Sequence, residues 1–261
     1  MSAALNPRFD ATWLSRVEDA GLNASAAPQQ RWLDGWLVRF CDGKAKRARC
    51  INAVADGRLP LAQRLAACAE IYEAAKMPMI VRITPFTRPP ELDLVLAELG
   101  LLSFDDTRVM VLPALSDVDV TGPAAIVLQS IGLEAFAHRV GGLRGSPLAQ
   151  RQAHAERLLS SPVPFQAFEL REHGEALACG QYAVEGTLAG LYDVYTAPAA
   201  RDRGLGTRLC RGMLSHARAR GATAAYLQVD ADNHAARAIY HRLGFADGYG
   251  YHYRAREPAA V

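Results

Sequence analysis

Two stretches of the chain, their Leu-Gly stops 144 residues apart, repeat one order of residue types. MIVRI, from Met79, leads to LDLVLAELGLLSFDDTRVMVL, and AYLQV, from Ala225, leads to ARAIYHRLGFADGYGYHYR. Each reads as a strand, a helix with apolar residues at helical spacing, a Leu-Gly stop and a second strand. The stops are Leu99-Gly100 and Leu243-Gly244, and the same offset sets Arg64-Leu65 against Arg208-Leu209. A duplicated α/β unit accounts for this, and chance likeness between short α/β segments is the alternative. With 261 residues, half of them hydrophobic, the chain can build two modest cores.

The pattern along the chain fits that division. Helices are predicted over Thr12–Ala20, after an opening Pro60 and over Glu91–Leu99, with strands at Asp34–Phe40, Met79–Ile83 and Thr107–Leu112. Pro113–Ala125 is rich in Pro, Gly, Ser and Asp, breaks the periodicity and reads as a linker between domains at 1–115 and 122–261. After it come a strand from Ala125, two helices (Leu133–Val140 and Leu148–Leu159), and strands at Phe165–Arg171, Glu175–Val184 and Thr187–Thr196. A helix from Leu205, a strand to Asp230, a helix from Ala235 and a strand to Arg254 close the chain.

Bulk charge excludes some partners. Lys and Arg number 29 against 27 acids, a net charge of +2, so no global basicity points to nucleic acid or an anionic membrane. The apolar runs are too short to span a bilayer, and no basic segment with an apolar core opens the chain. Five scattered cysteines, without metal-ligand spacing, predict a reduced, metal-free, cytoplasmic protein.

The stretch YTAPAARDRGLGTRL, from Tyr195, places Arg201, Gly204 and Gly206 between a strand and a helix. Glycines there let backbone N–H groups approach a ligand, and the helix start adds partial positive charge. An anion cradle and a plain glycine turn fit the loop equally well. Downstream, DADNHAARAIYHRLGF puts Asn233 at a helix start and sets Ala236 and Tyr240 on its face, with small residues leaving room for something thin. Tyr240 alone is as readily a core aromatic.

Together, Arg201-x-x-Gly204-x-Gly206 and Asn233-x-x-Ala236-x-x-x-Tyr240, followed by LGF, resemble the paired motifs of the GNAT superfamily of acyl-CoA-dependent N-acetyltransferases. The resemblance covers roughly residues 122–255 and implies an α/β fold of two such lobes, each a mixed, mostly antiparallel sheet flanked by helices. It implies that the N–H groups of Arg201, Asp202, Arg203, Gly204, Leu205, Gly206 and Thr207 hold the pyrophosphate of acetyl-CoA. The backbone of Val194, Tyr195 and Thr196 would pair with the pantetheine arm, and Asn233 and Ala236 would flank it. Tyr240 would sit by the sulfur as the acid for the departing thiolate. Asp193, a charge in the apolar run LYDVYT, is a candidate base or substrate-binding group, and Glu185 is a weaker one. The expected acceptor is a small-molecule amine, and a homodimer is compatible with the pattern. A non-catalytic acyl-CoA-binding module is the rival reading. An NAD site is the third, though Leu209 stands where its fingerprint needs a glycine.

At the 144-residue offset Gly204 and Gly206 become Pro60 and Ala62, while Asn233 and Tyr240 become Pro89 and Leu96. Proline offers no N–H and leucine no proton. The first half therefore resembles the degenerate half of tandem GNAT proteins, with walling the acceptor pocket as its expected use. KAKRAR, Lys44–Arg49, reads as a solvated hairpin or as a site for an anionic substrate, and Trp13, Trp32 and Trp36 as core or pocket aromatics.

Overall fold

The computed structural model describes residues 4–41, 45–116, 123 and 125–258, so much of the expected linker lies outside the described residues, as does Lys44. The first half runs α1 (Ala11–Asn23), β1 (Gln29–Leu33), β2 (Trp36–Phe40), β3 (Ile51–Asn52), α2 (Leu61–Ala74), β4 (Val81–Ile83), α3 (Leu92–Glu98) and β5 (Leu102–Leu112). The second runs β6 (Ile126–Ile131), α4 (Leu133–Leu143), α5 (Leu148–Leu159), β7 (Phe165–Glu172), β8 (Glu175–Glu185), β9 (Leu188–Thr196), α6 (Leu205–Ala219), β10 (Ala224–Asp230), α7 (His234–Arg242) and β11 (Ala246–Ala255). The repeat read from sequence recurs in the elements. Helices α2 and α6 start 144 residues apart, at Leu61 and Leu205, and so do β5 and β11, at Leu102 and Ala246.

The sheets are mixed and mostly antiparallel, as expected, but the halves form one sheet in the order β1-β2-β3-β4-β11-β5-β10-β9-β8-β7-β6. Each half sends its last strand across: β11 pairs with β4, β5 pairs with β10, and the two crossing strands pair antiparallel at the centre. Strands β3 and β4 are parallel, as are β9 and β10, so the halves are laid out alike about the β5/β11 seam. The reason lies in length. β5 and β11 extend beyond the runs predicted from alternation, to 11 and 10 residues, because the added residues of each pair with the other strand. β1, absent from the sequence reading, forms a hairpin with β2 through Asp34-Gly35, both at positive φ.

Helix α6 lays Leu209, Met213 and Leu214 on the sheet with Phe168 and Leu191, and α1 buries Leu14 and Val17 against Tyr249 and Tyr251 near the seam. Beneath α1, Glu18 meets Arg82 of β4 and accepts a 2.6 Å hydrogen bond from Tyr249 of β11. Among the described residues no helix is long and apolar enough to cross a membrane.

Candidate active site

The ladder between β9 and β10 stops at Leu191 and Leu227, and beyond it β9 runs to Thr196 and β10 to Asp230 without pairing. The register of β9 against β8 also shifts between Tyr192 and Tyr195, so Asp193 and Val194 have no ladder partner on that side either. Asp193 takes φ +50 at this bulge. Parallel strands that splay leave backbone groups facing a gap, and a gap between strand ends in an α/β sheet is where ligands enter. A cavity of about 350 Å³ fills it, with Val194, Asp230, Asn233, Ala236 and Tyr240 on its walls.

Helix α6 starts beside this gap. Gly204 occupies the N-cap at φ +70, a conformation that a side chain would strain, and no side chain caps the helix. The first backbone bond into the helix is Arg208 N–H to Gly204 C=O. The N–H groups of Arg203, Gly204, Leu205, Gly206 and Thr207 have no acceptor among the described residues. That is a set of donors suited to a phosphate. The side chain of Arg203 is engaged with both oxygens of Glu172 at 2.8 Å, and Arg208 donates to Ile126 C=O at 2.7 Å. Tyr195 and Thr196 remain laddered to Cys179 and Ala178 of β8, with the ring of Tyr195 beneath the Arg144 guanidinium.

At the corresponding place in the first half a carboxylate already stands. Asp34 accepts the N–H groups of Arg58 and Leu59 at 2.8 and 2.9 Å, and Arg64 Nε lies 3.2 Å away. A Cβ at Gly57 would stand 2.1 Å from Asp34 Oδ2, so this approach needs glycine.

Asn233 Oδ1 caps α7 by accepting Ala236 N–H at 3.1 Å, which leaves its amide N–H groups uncommitted. Tyr240 is 9% exposed, and its hydroxyl has no partner among the described residues. Burial, with Cys210 beside it, pushes its pKa well up, so the phenol stays protonated at neutral pH. Burial also pushes the Cys179 and Cys210 thiols up to about 12, and neither is a nucleophile there.

Asp193 lies in the cavity wall, but the structure corrects its reading as a base. Arg144 donates to Oδ1 and Gln181 Nε2 to Oδ2, both at 2.9 Å, and His154 Nε2 is 3.4 Å from Oδ2. Burial would raise the pKa, yet His154 and Arg144 outweigh it and hold the carboxyl far below the usual range. A carboxylate so held is a poor proton acceptor. Glu185 accepts two bonds from Asn23 at the other end of the β8–β9 hairpin and does not line the cavity.

The first half supplies the opposite wall through Ala24, Ser25, Ala45 and Arg47. The described part of KAKRAR, residues 45–49, is therefore not a solvated hairpin. Lys46 is buried on Asp105 at 2.6 Å, and Arg47 enters the cavity. Sequence reasoning assigns Arg47 no firm role because a basic run reads the same whether water or a cavity faces it. Trp36 is core, donating to Arg88 C=O at 3.0 Å, Trp32 is exposed, and neither lines the cavity, nor does Trp13.

Residues 139–245 match the family model described as the acetyltransferase (GNAT) family. This segment of the chain is similar to a GNAT acetyltransferase domain. The uncharacterized N-acetyltransferase YobR of Bacillus subtilis is 24% identical over 248 residues, spanning 92% of this chain and 98% of that protein. Among solved structures, a GCN5-related N-acetyltransferase from Kribbella flavida superposes with a TM-score of 0.70 at 18% identity, covering 96% of each chain. A tandem GNAT protein from the clavulanic acid biosynthesis pathway gives 0.60 at 15% identity, over 76% of this chain and 70% of that one. The matched segment carries β7 through α7, and the structural likeness extends the shared fold into the first half.

Proposed function

We propose that the protein moves an acetyl group from acetyl-CoA to the primary amine of a small molecule, directly, within a ternary complex. The observation that carries this reading is one gap with two chemistries: unpaired N–H donors at the start of α6, and beside them a cavity closed by the protonated Tyr240. Acetyl-CoA would supply the activated acyl group as a thioester. The loop from Arg201 to Thr207 holds its pyrophosphate, and the open edges of β9 and β10 admit the pantetheine arm between Val194 and Ala236. Val194 N–H, free of both ladders, faces the carbonyl oxygen as negative charge develops on it. The amine nitrogen bonds to the acyl carbon, the C–S bond breaks, and Tyr240 gives its proton to the leaving sulfur. A phenol of pKa about 10 is a weaker acid than a thiol of about 8.5. The desolvation that raises Tyr240 also raises the pKa of a thiol in the same cavity, so burial by itself does not widen that difference. With Asp193 held by Arg144, Asp230 is the carboxylate on the cavity wall left to take the amine proton.

The first half, on this reading, is a copy that has given up its cofactor loop to Asp34 and serves as the acceptor wall. The test is calorimetric titration with acetyl-CoA, followed by an amine panel read by release of the CoA thiol. Saturable binding of one acetyl-CoA per chain with amine-dependent thiol release is expected. Binding without turnover on any amine would favour an acyl-CoA-binding module instead.

A further inference from the structure

The acceptor wall is cationic in a way that acetyl transfer alone does not require. Arg47 reaches the cavity from the 3-10 turn Lys46–Ala48, and its backbone carbonyl is tied down by the buried Arg39 guanidinium, which also binds the carbonyls of Leu22 and Ser25. On its own side chain, one nitrogen, Nη1, is committed, to Gln228 Oε1 and Tyr251 Oη. The remaining donors have no acceptor among the described residues and are not sealed from the cavity. Arg157 of α5 lines the same cavity and has no acidic partner among the described residues. The third arginine there, Arg144, is engaged with Asp193.

Neither carboxylate on the cavity wall, Asp193 or Asp230, pairs with Arg47 or Arg157 among the described residues, and a partly buried guanidinium that stays charged without such a pair calls for an anion. We infer that the amine accepted at this site also carries an anionic group, a carboxylate or a phosphate, which Arg47 and Arg157 bind at the end of the cavity walled by the first half. The inference rests on the acetyltransferase reading and specifies its acceptor. Arg47 and Arg157 fix the anionic end, and the amine nitrogen is left to face the acyl carbon near Tyr240. A neutral or purely cationic amine would leave both guanidinium groups without a counter-charge and would add positive charge beside them.

The test compares matched amines that differ in the anion alone: 3-aminopropanoate against propylamine, and phosphoethanolamine against ethanolamine. Binding to the protein saturated with CoA is measured by calorimetry, and turnover with acetyl-CoA by thiol release. At least one anionic member should bind and turn over about tenfold better than its uncharged match, the factor that one charge-assisted hydrogen bond supplies. The pair that shows it separates carboxylate from phosphate. Arg157→Gln and Arg47→Gln should each shrink that ratio while leaving acetyl-CoA affinity unchanged. Because Arg47 also holds Gln228, Arg157→Gln provides the reading if Arg47→Gln fails to fold. Equal or better use of the uncharged amines, no binding of either anionic amine, or a ratio insensitive to Arg157→Gln would overturn the inference. Failure of acetyl-CoA itself to bind would instead overturn the acetyltransferase reading.

Discussion

Tyr240 and Asp193 show how much depends on the partners of a single side chain. Tyr240 has none and faces the cavity, so its proton is available to a leaving group. Removing that hydroxyl in Tyr240→Phe keeps the ring packed on Phe245 and should lower kcat by about a hundredfold, with acetyl-CoA binding unchanged by calorimetry. Unchanged kcat would remove Tyr240 as the acid. Asp193 has three partners, and they come from α4, α5 and β8. Its folded pKa lies below the unfolded value of about 3.9, so its stabilising contribution is complete above that pH and fades as pH falls below it. Asp193→Asn should cost about 2 kcal/mol in urea unfolding at pH 7, and less at pH 3. A destabilisation that grows toward low pH would contradict this assignment.

Among the elements, the starts of α2 and α6 occupy equivalent places and do opposite things. Gly204 opens α6 and leaves its N–H groups without an acceptor among the described residues, whereas Pro60 opens α2 and the preceding N–H groups are taken by Asp34. The backbone bonds from Arg58 and Leu59 hold the Asp34 carboxyl below the usual range, so this contact too is present above about pH 4 and weakens in acid. Asp34→Ala should lower the Tm at pH 7 and leave acetyl-CoA binding at one per chain. A stoichiometry of two in the unaltered protein would show that the first half keeps a working loop. The repeat is legible in the sequence at this scale because Leu-Gly stops and apolar spacing are local. The capture by Asp34 is not, because Asp34 sits in the β1–β2 turn, far from α2 along the chain.

The whole molecule is held by a seam that neither half makes alone. β11 completes the sheet of the first half through β4, β5 completes that of the second through β10, and Glu18 of α1 ties Arg82 of β4 to Tyr249 of β11. Halves that share their central strands should unfold together. Calorimetry should show a single transition with matching calorimetric and van't Hoff enthalpies, and two resolved transitions would mean that the halves are independent.

The sequence by itself determined the α/β class, the order of most elements, the repeat, Gly204 at a helix start and Asn233, Ala236 and Tyr240 on one helix face, since helix periodicity, caps and glycine turns are written within a few neighbouring residues. Tertiary structure alone decided three things: that the halves exchange their last strands, that Asp193 is clamped by Arg144 rather than free, and that Arg47 of a basic run points into a cavity. Each of these depends on which distant group a strand edge or a charge meets, and the meeting is made by tertiary packing, where separation along the chain carries no signal.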